Sequence, residues 1–277
     1  MRLGTSLFRS YDDPASWASD MKRLGFRASV CPIGKDADDA LIEAYRRESE
    51  RHDVLIGEVG AWSNPISPDD AVRKAALEHC KERLALAERV GARCCVNIAG
   101  SRGEQWDGPH PDNFSDDTFA LVVDTVREII DAVKPRQTFY TLETMPWVFP
   151  DSADCYMKLI RAIDRSAFAV HLDPVNMISS PRVFYRNGDM IRDFFSKLGP
   201  YIKNCHAKDI KLAGRLTVHL DEAIPGQGAL DYRTFLTELH KLDPDTPLII
   251  EHLTKEEEYM QGASFIRRTA ESLTIPL

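Results

Sequence analysis

The chain has 277 residues and a mass of 31.3 kDa, with 43% hydrophobic and 28% charged residues, a composition that excludes disordered, collagenous and low-complexity chains. Lysine and arginine total 35 against 43 aspartates and glutamates, a net charge of −8 with a pI near 5.5, so general nucleic-acid binding is not expected, because an acidic surface repels polyphosphates. No apolar run reaches the roughly 18 residues of a membrane span and the first residues are too short an apolar stretch for a secretory signal, so a cytoplasmic chain without membrane contact is expected.

Short apolar runs alternate with longer amphipathic ones from end to end. The pattern predicts a strand over 2–8 and a helix over 15–24, then 27–33 with 38–52, 54–62 with 68–90, and 93–99 with 116–133. The second half continues with 138–145 and 153–163, 168–175 and 181–198, 202–209 and 232–241, and 247–253 and 255–272. Ser67 before Pro68 and Ser115 before Asp116 mark helix starts, and Gly25 and Gly91 stand where a left-handed cap favours glycine. Eight strand–helix units in about 250 residues predict an α/β protein with a single (β/α)₈ barrel as its one domain. The six cysteines form no CxxC pair and no zinc-finger spacing, so they are expected to be reduced structural thiols.

Two connections are long for this fold: 100–114, with Trp106, Asp107 and His110, and 210–231, with Arg215, His219, Glu222 and Pro225-Gly-Gln-Gly. Both follow strands, so both are expected at the end of the barrel where active sites form, closing over one mouth. Near the ends of strands five to eight stand Glu143, Asp173, His206 and Glu251. Each alone reads as a surface charge, a cap or a core histidine. Together, on neighbouring strands about 4.8 Å apart, they converge. Three carboxylates and an imidazole suit one divalent ion, Mn²⁺ first, with Mg²⁺, Co²⁺ or Zn²⁺ as alternatives. Strand parity sends Lys208 the same way as His206, toward a substrate oxygen or into a salt bridge, and puts His171 inward beneath Asp173. Trp62, Trp106 and Trp147 are candidates to cover an apolar face of a ligand, and His110, Arg215 and His219 are loop candidates for substrate contact.

The strand-end set, with His206-Ala-Lys-Asp and Pro225-Gly-Gln-Gly-Ala-Leu-Asp-Tyr, resembles the xylose isomerase-like TIM barrels across essentially the whole chain. The resemblance implies one bound metal ion, with Glu143 and Glu251 also exchanging protons with opposite faces of a substrate carbon. It implies a metal-dependent isomerase or epimerase of ketoses or keto-sugars working through an enediolate. Some epimerases of that family carry a substrate-contacting histidine three residues after the ligand aspartate, where this chain has Asn176. The departure gives weight to β-elimination from the same enolate, by a keto-sugar dehydratase or 3-keto-glycoside lyase. Apurinic-site endonucleases of the superfamily place additional zinc-binding histidines where this chain offers Trp62, Asn97 and Asn176. A non-catalytic sugar-binding barrel is the remaining alternative. The expected partner is a small carbohydrate, and a homo-oligomer is left open.

Overall fold

The computed structural model describes residues 1–11, 13–34 and 37–277. Strands β1 (Arg2–Thr5), β2 (Ala28–Val30), β3 (Leu55–Gly60), β4 (Cys94–Asn97), β5 (Phe139–Glu143), β6 (Phe168–Leu172) and β7 (Ile202–Ala207) lie side by side in chain order. A hairpin of β8 (Asp209–Leu212) and β9 (Leu220–Ala223) follows β7, and β10 (Pro247–Ile250) then closes the barrel between β7 and β1. All eight barrel pairings are parallel, so every barrel strand ends at the same mouth. The strands are shorter than the apolar runs that predict them, because the ladder pairing stops before the last residues of each run.

Around the barrel run α1 (Pro14–Leu24), α2 (Asp39–His52), α3 (Asp70–Val90), α4 (Asp116–Val133), α5 (Ala153–Ile163), α6 (Pro181–Phe184), α7 (Asn187–Leu198), α8 (Tyr232–His240) and α9 (Glu256–Ser272). Ser115 caps α4 by accepting from the Thr118 amide, and Gly25 and Gly91 end α1 and α3 at φ 75°. At α3 the cap is Asp69 rather than Ser67, because its carboxylate accepts from both the Ala71 and Val72 amides. The single helix expected over 181–198 is two. Arg186 leaves helical geometry, and Asn187 restarts the helix while donating to Phe184 O at 2.7 Å and Ala229 O at 3.0 Å. The 210–231 connection holds the hairpin, which the sequence pattern does not disclose.

The core lies between the helices and the barrel wall, with Trp17, Tyr45, Tyr156, Phe194 and Phe235 among its largest fully buried side chains. Truncating a buried aromatic of this size to alanine costs about 3–5 kcal/mol. Their polar atoms are placed as well as their rings. Trp17 Nε1 donates to Ser29 Oγ at 3.1 Å, and Tyr156 Oη lies 2.5 Å from Leu142 O and 2.9 Å from Ala169 O, clipping β5 to β6. All six cysteines are unpaired. No helix among the described residues is long and apolar enough to cross a membrane.

Candidate active site

The strands β5, β6, β7 and β10 are consecutive in the barrel. Glu143 is the last residue of β5, Asp173 follows β6, His206 lies in β7 and Glu251 follows β10. One ligand atom from each lies within 4.8 Å of the others, and all four side chains are buried. Asp173 is held by the turn that follows its strand: its Oδ1 accepts from the Val175 amide at 2.9 Å, and its backbone is bracketed by Thr144 Oγ1.

Two cations enter this cluster. His206 Nδ1 is 2.8 Å from Glu251 Oε1 and 3.2 Å from Glu143 Oε1. Lys208 Nζ is 2.7 Å from both Asp173 Oδ2 and Glu251 Oε1, and 3.3 Å from Glu222 Oε1. Burial works against the charge of His206 and Lys208, but the surrounding carboxylates outweigh it and raise both pKa values well above the usual ones. Burial also opposes ionisation of Glu143 and Glu251, yet His206 and Lys208 pull both below the ordinary glutamate value. Asp173 goes the other way. Burial lifts its carboxyl to about 7 in spite of Lys208, with Glu143 and Glu251 adding to the rise. The cluster thus carries more negative charge than its two cations neutralise. Asp173 Oδ2 and Glu251 Oε1 are buried without a hydrogen bond, despite their short ion pairs. Three buried carboxylates converging with an imidazole fit a divalent cation, and this set can hold one.

Beneath the cluster lies a second polar layer. Glu58 Oε2 is 2.9 Å from His171 Nε2, 2.5 Å from Asn204 Nδ2 and 3.2 Å from His206 Nε2. Glu58 is buried, and the two imidazoles bring its pKa down to about 2 against the effect of burial. Sequence reasoning placed His171 inward but missed Glu58 and Asn204. The available signals were a lone acid inside the apolar run 54–59 and the parity of Asn204 with His206.

Above the cluster opens a cavity of about 510 Å³. Trp62, Trp106 and Trp147, each a little over a third exposed, line it together with Glu143, Asn176, Lys208, Glu222 and His252. The 100–114 wall is built rather than loose. Asn64 and Asn113 hold it from inside, with Asn113 Nδ2 donating to Trp147 O at 3.0 Å and Trp147 Nε1 donating to Asp107 O at 2.7 Å. The opposite wall hangs on Asp209, whose buried carboxylate accepts from the amides of Ile210, Gly226, Gly228 and Leu230. Gly226 sits at φ 92°, and a side chain on Gly228 would run into Ile210 O, which explains the two glycines of Pro225-Gly-Gln-Gly.

Glu222 and His252 form a pair at 3.1 Å and, with Lys208, also line a second cavity of about 330 Å³, whose other walls include Glu251, Lys211, Gln227 and Thr254. His252, which is not among the candidates read from the sequence, follows Glu251 and takes positive φ. Both long connections reach the same mouth, since Trp106 and Glu222 line one cavity. His110 caps the short 3₁₀ turn at Pro111–Phe114 instead of lining the cavity. Arg215 and His219 lie in the turn between β8 and β9, also outside that lining, and Arg215 is exposed. Asn176 Nδ2 donates to Glu143 Oε1 at 3.0 Å, which brings the residue that departs from the epimerase pattern directly onto one of the four clustered side chains.

No curated protein matches the chain in sequence. Among solved structures, a D-psicose 3-epimerase with D-tagatose from Clostridium cellulolyticum H10 superposes over 100% of both chains, at 15% identity and a TM-score of 0.72. A 3-keto-D-glucoside 4-epimerase from E. coli covers 97% of this chain and 99% of its own, at 15% identity and 0.70. A xylose isomerase-like TIM barrel protein from Mycobacterium smegmatis, in complex with magnesium, covers 99% and 96%, at 16% identity and 0.69. At these identities the likeness is one of fold. The family model of xylose isomerase-like TIM barrels matches residues 18–269, which takes in every strand end described above except that of β1. The chain belongs to the xylose isomerase-like TIM barrel family.

Proposed function

We propose that the protein is a metal-dependent isomerase or epimerase of a ketose or keto-sugar, acting by moving the proton beside the carbonyl. The observation that carries the reading is the pair Glu143 and Glu251, which reach His206 Nδ1 from the two outer strands of the four-strand arc. The likeness to two sugar epimerases supports it. A divalent ion held by Glu143, Asp173, His206 and Glu251, with Mn²⁺ the first choice and Mg²⁺, Co²⁺ or Zn²⁺ the alternatives, supplies polarisation of a substrate carbonyl and acidifies the neighbouring C–H.

Glu143 and Glu251, both ionised at neutral pH by their depressed pKa values, act as the acid/base pair. One, as the carboxylate, takes the proton from one face of the carbon; the other, having first taken a proton from solvent in the cavity, returns it to the opposite face, and the first then gives its proton back to solvent. Asn176 orients Glu143 through the 3.0 Å hydrogen bond. Lys208, with its ammonium at the cavity floor, binds a substrate oxygen. Trp62, Trp106 and Trp147 cover the sugar's apolar face and keep water from the carbanion-like carbon.

The test is a panel of ketoses and keto-sugars incubated in D₂O with Mn²⁺-loaded protein and followed by NMR. Deuterium at the carbon beside the carbonyl, with a new epimer or aldose, is the expected result. Loss of water or of an aglycone would instead establish elimination, the reading favoured by Asn176 in place of a substrate-contacting histidine. Sugar binding with no exchange for any member of the panel would leave only a binding barrel.

A further inference from the structure

We infer that Glu58 is a positioning residue that fixes which nitrogen of His206 faces the ligand cluster, by holding the imidazole proton at Nε2 and leaving Nδ1 free to bind a cation. The inference rests on the metal reading above and concerns a residue of a strand that contributes none of the four ligands. His206 spans two layers. Its Nδ1 faces Glu143 and Glu251 above, while its Nε2 lies 3.2 Å from Glu58 Oε2 and 3.4 Å from Glu58 Oε1 below. An imidazole that gives its Nδ1 lone pair to a cation keeps its one proton on Nε2, and that proton needs a buried acceptor. Glu58 supplies the acceptor, where water does not reach.

Glu58 is in turn locked in place. Asn204 Oδ1 accepts from the Cys205 amide at 3.0 Å, so the other end of its side chain, Nδ2, is turned toward Glu58 Oε2. His171 presses edge-on against His206, with ring centroids 4.1 Å apart, and its Nε2 lies 2.9 Å from the same oxygen. His171 Nδ1 is buried without a hydrogen bond, which suits an unprotonated nitrogen and makes Nε2 the donor to Glu58. A layer retained for stability alone would do as well or better with apolar side chains, since burying an ion pair is costly. What apolar residues cannot do is set the direction of an imidazole.

Calorimetric titration with Mn²⁺ alone tests this on the parent, Glu58→Gln and Glu58→Asp proteins, with thermal melts of each metal-free protein to confirm folding. Loss of an outer hydrogen-bond partner of a ligating histidine typically lowers metal affinity about 10–100-fold. That loss is expected for folded Glu58→Gln, with partial recovery in Glu58→Asp, which keeps the charge. A folded Glu58→Gln that binds Mn²⁺ within twofold of the parent overturns the assignment while leaving the metal reading standing. A parent that does not bind Mn²⁺ overturns both. If Glu58→Gln does not fold, ¹⁵N NMR of the Mg²⁺-loaded parent decides: a proton on His206 Nε2 supports the inference, and a proton on Nδ1 refutes it.

Discussion

The two ends of the barrel treat charge in opposite ways. At the closed end, Arg2 reaches Asp53 at 2.6 Å and Asp245 at 2.7 Å, and Arg27 reaches Asp53 at 2.7 Å. These pairs are balanced in sign and open to water, and such pairs are worth about 0–1 kcal/mol each. At the mouth, Glu143, Asp173, Glu222 and Glu251 crowd around His206 and Lys208, nearly all of them buried, with two carboxylate oxygens lacking hydrogen bonds. One end is arranged to close a sheet at little risk. The other holds an arrangement that folding alone disfavours, as sites built to receive a ligand often do.

The largest break in this contrast is expected in the chemistry of the mouth. Glu143→Gln and Glu251→Gln, each at saturating Mn²⁺ with bound metal counted, should lose about 10²–10⁴-fold in substrate α-proton exchange while still binding sugar. Exchange at the parent rate in a fully metallated Glu251→Gln protein would reduce Glu251 to a ligand and move the proton-transfer role to Lys208. Next comes Asp173→Asn. At a hundredfold excess of Mn²⁺ over its dissociation constant, the parent should gain about 2.7 kcal/mol in stability, several degrees in Tm. The variant should lose that gain. Because burial lifts the Asp173 carboxyl to about 7, an amide there should leave the metal-free protein as stable as the parent, or more stable by on the order of 1 kcal/mol. A metal-free variant much less stable than the parent would show that the mouth is not strained by charge.

Replacing Trp62 or Trp106 with alanine should raise KM roughly threefold to tenfold with a smaller change in kcat, as expected for loss of a stacking face worth about 0.5–1.5 kcal/mol. The smallest effect belongs to the closed end. Arg27→Ala should cost at most about 1 kcal/mol and leave proton exchange untouched. Its pH signature is specific. Against burial, Arg27 and Arg2 hold the Asp53 carboxyl below its ordinary 3.8, so that pairing stabilises the fold above pH 3.8 and is lost as the pH falls through the depressed value. The melting temperatures of parent and Arg27→Ala should therefore converge in acid; a gap that persists at pH 2 would refute the pairing.

Helices α4 and α5 begin and end where periodicity and capping residues set them, because both signals act over a few neighbouring residues. The convergence of the four strand-end residues was also legible, since a parallel barrel brings every strand end to one mouth and parity decides which side chains point in. Other features depend on distant partners. Whether 181–198 is one helix or two turns on Asn187 meeting Ala229. Whether 210–231 is a loose loop or a hairpin turns on Asp209 gathering the amides of a segment up to 21 residues away. Glu58 shows the division most clearly: its own neighbours in sequence are apolar, and its partners His171 and Asn204 lie 113 and 146 residues away. Local pattern determined the barrel and the direction of its strand-end side chains, since period and propensity are properties of short stretches. Which buried acid supports which imidazole, and how the cavity walls are held, only the closed barrel decided, because a hydrogen bond between strands exists only once the strands are side by side.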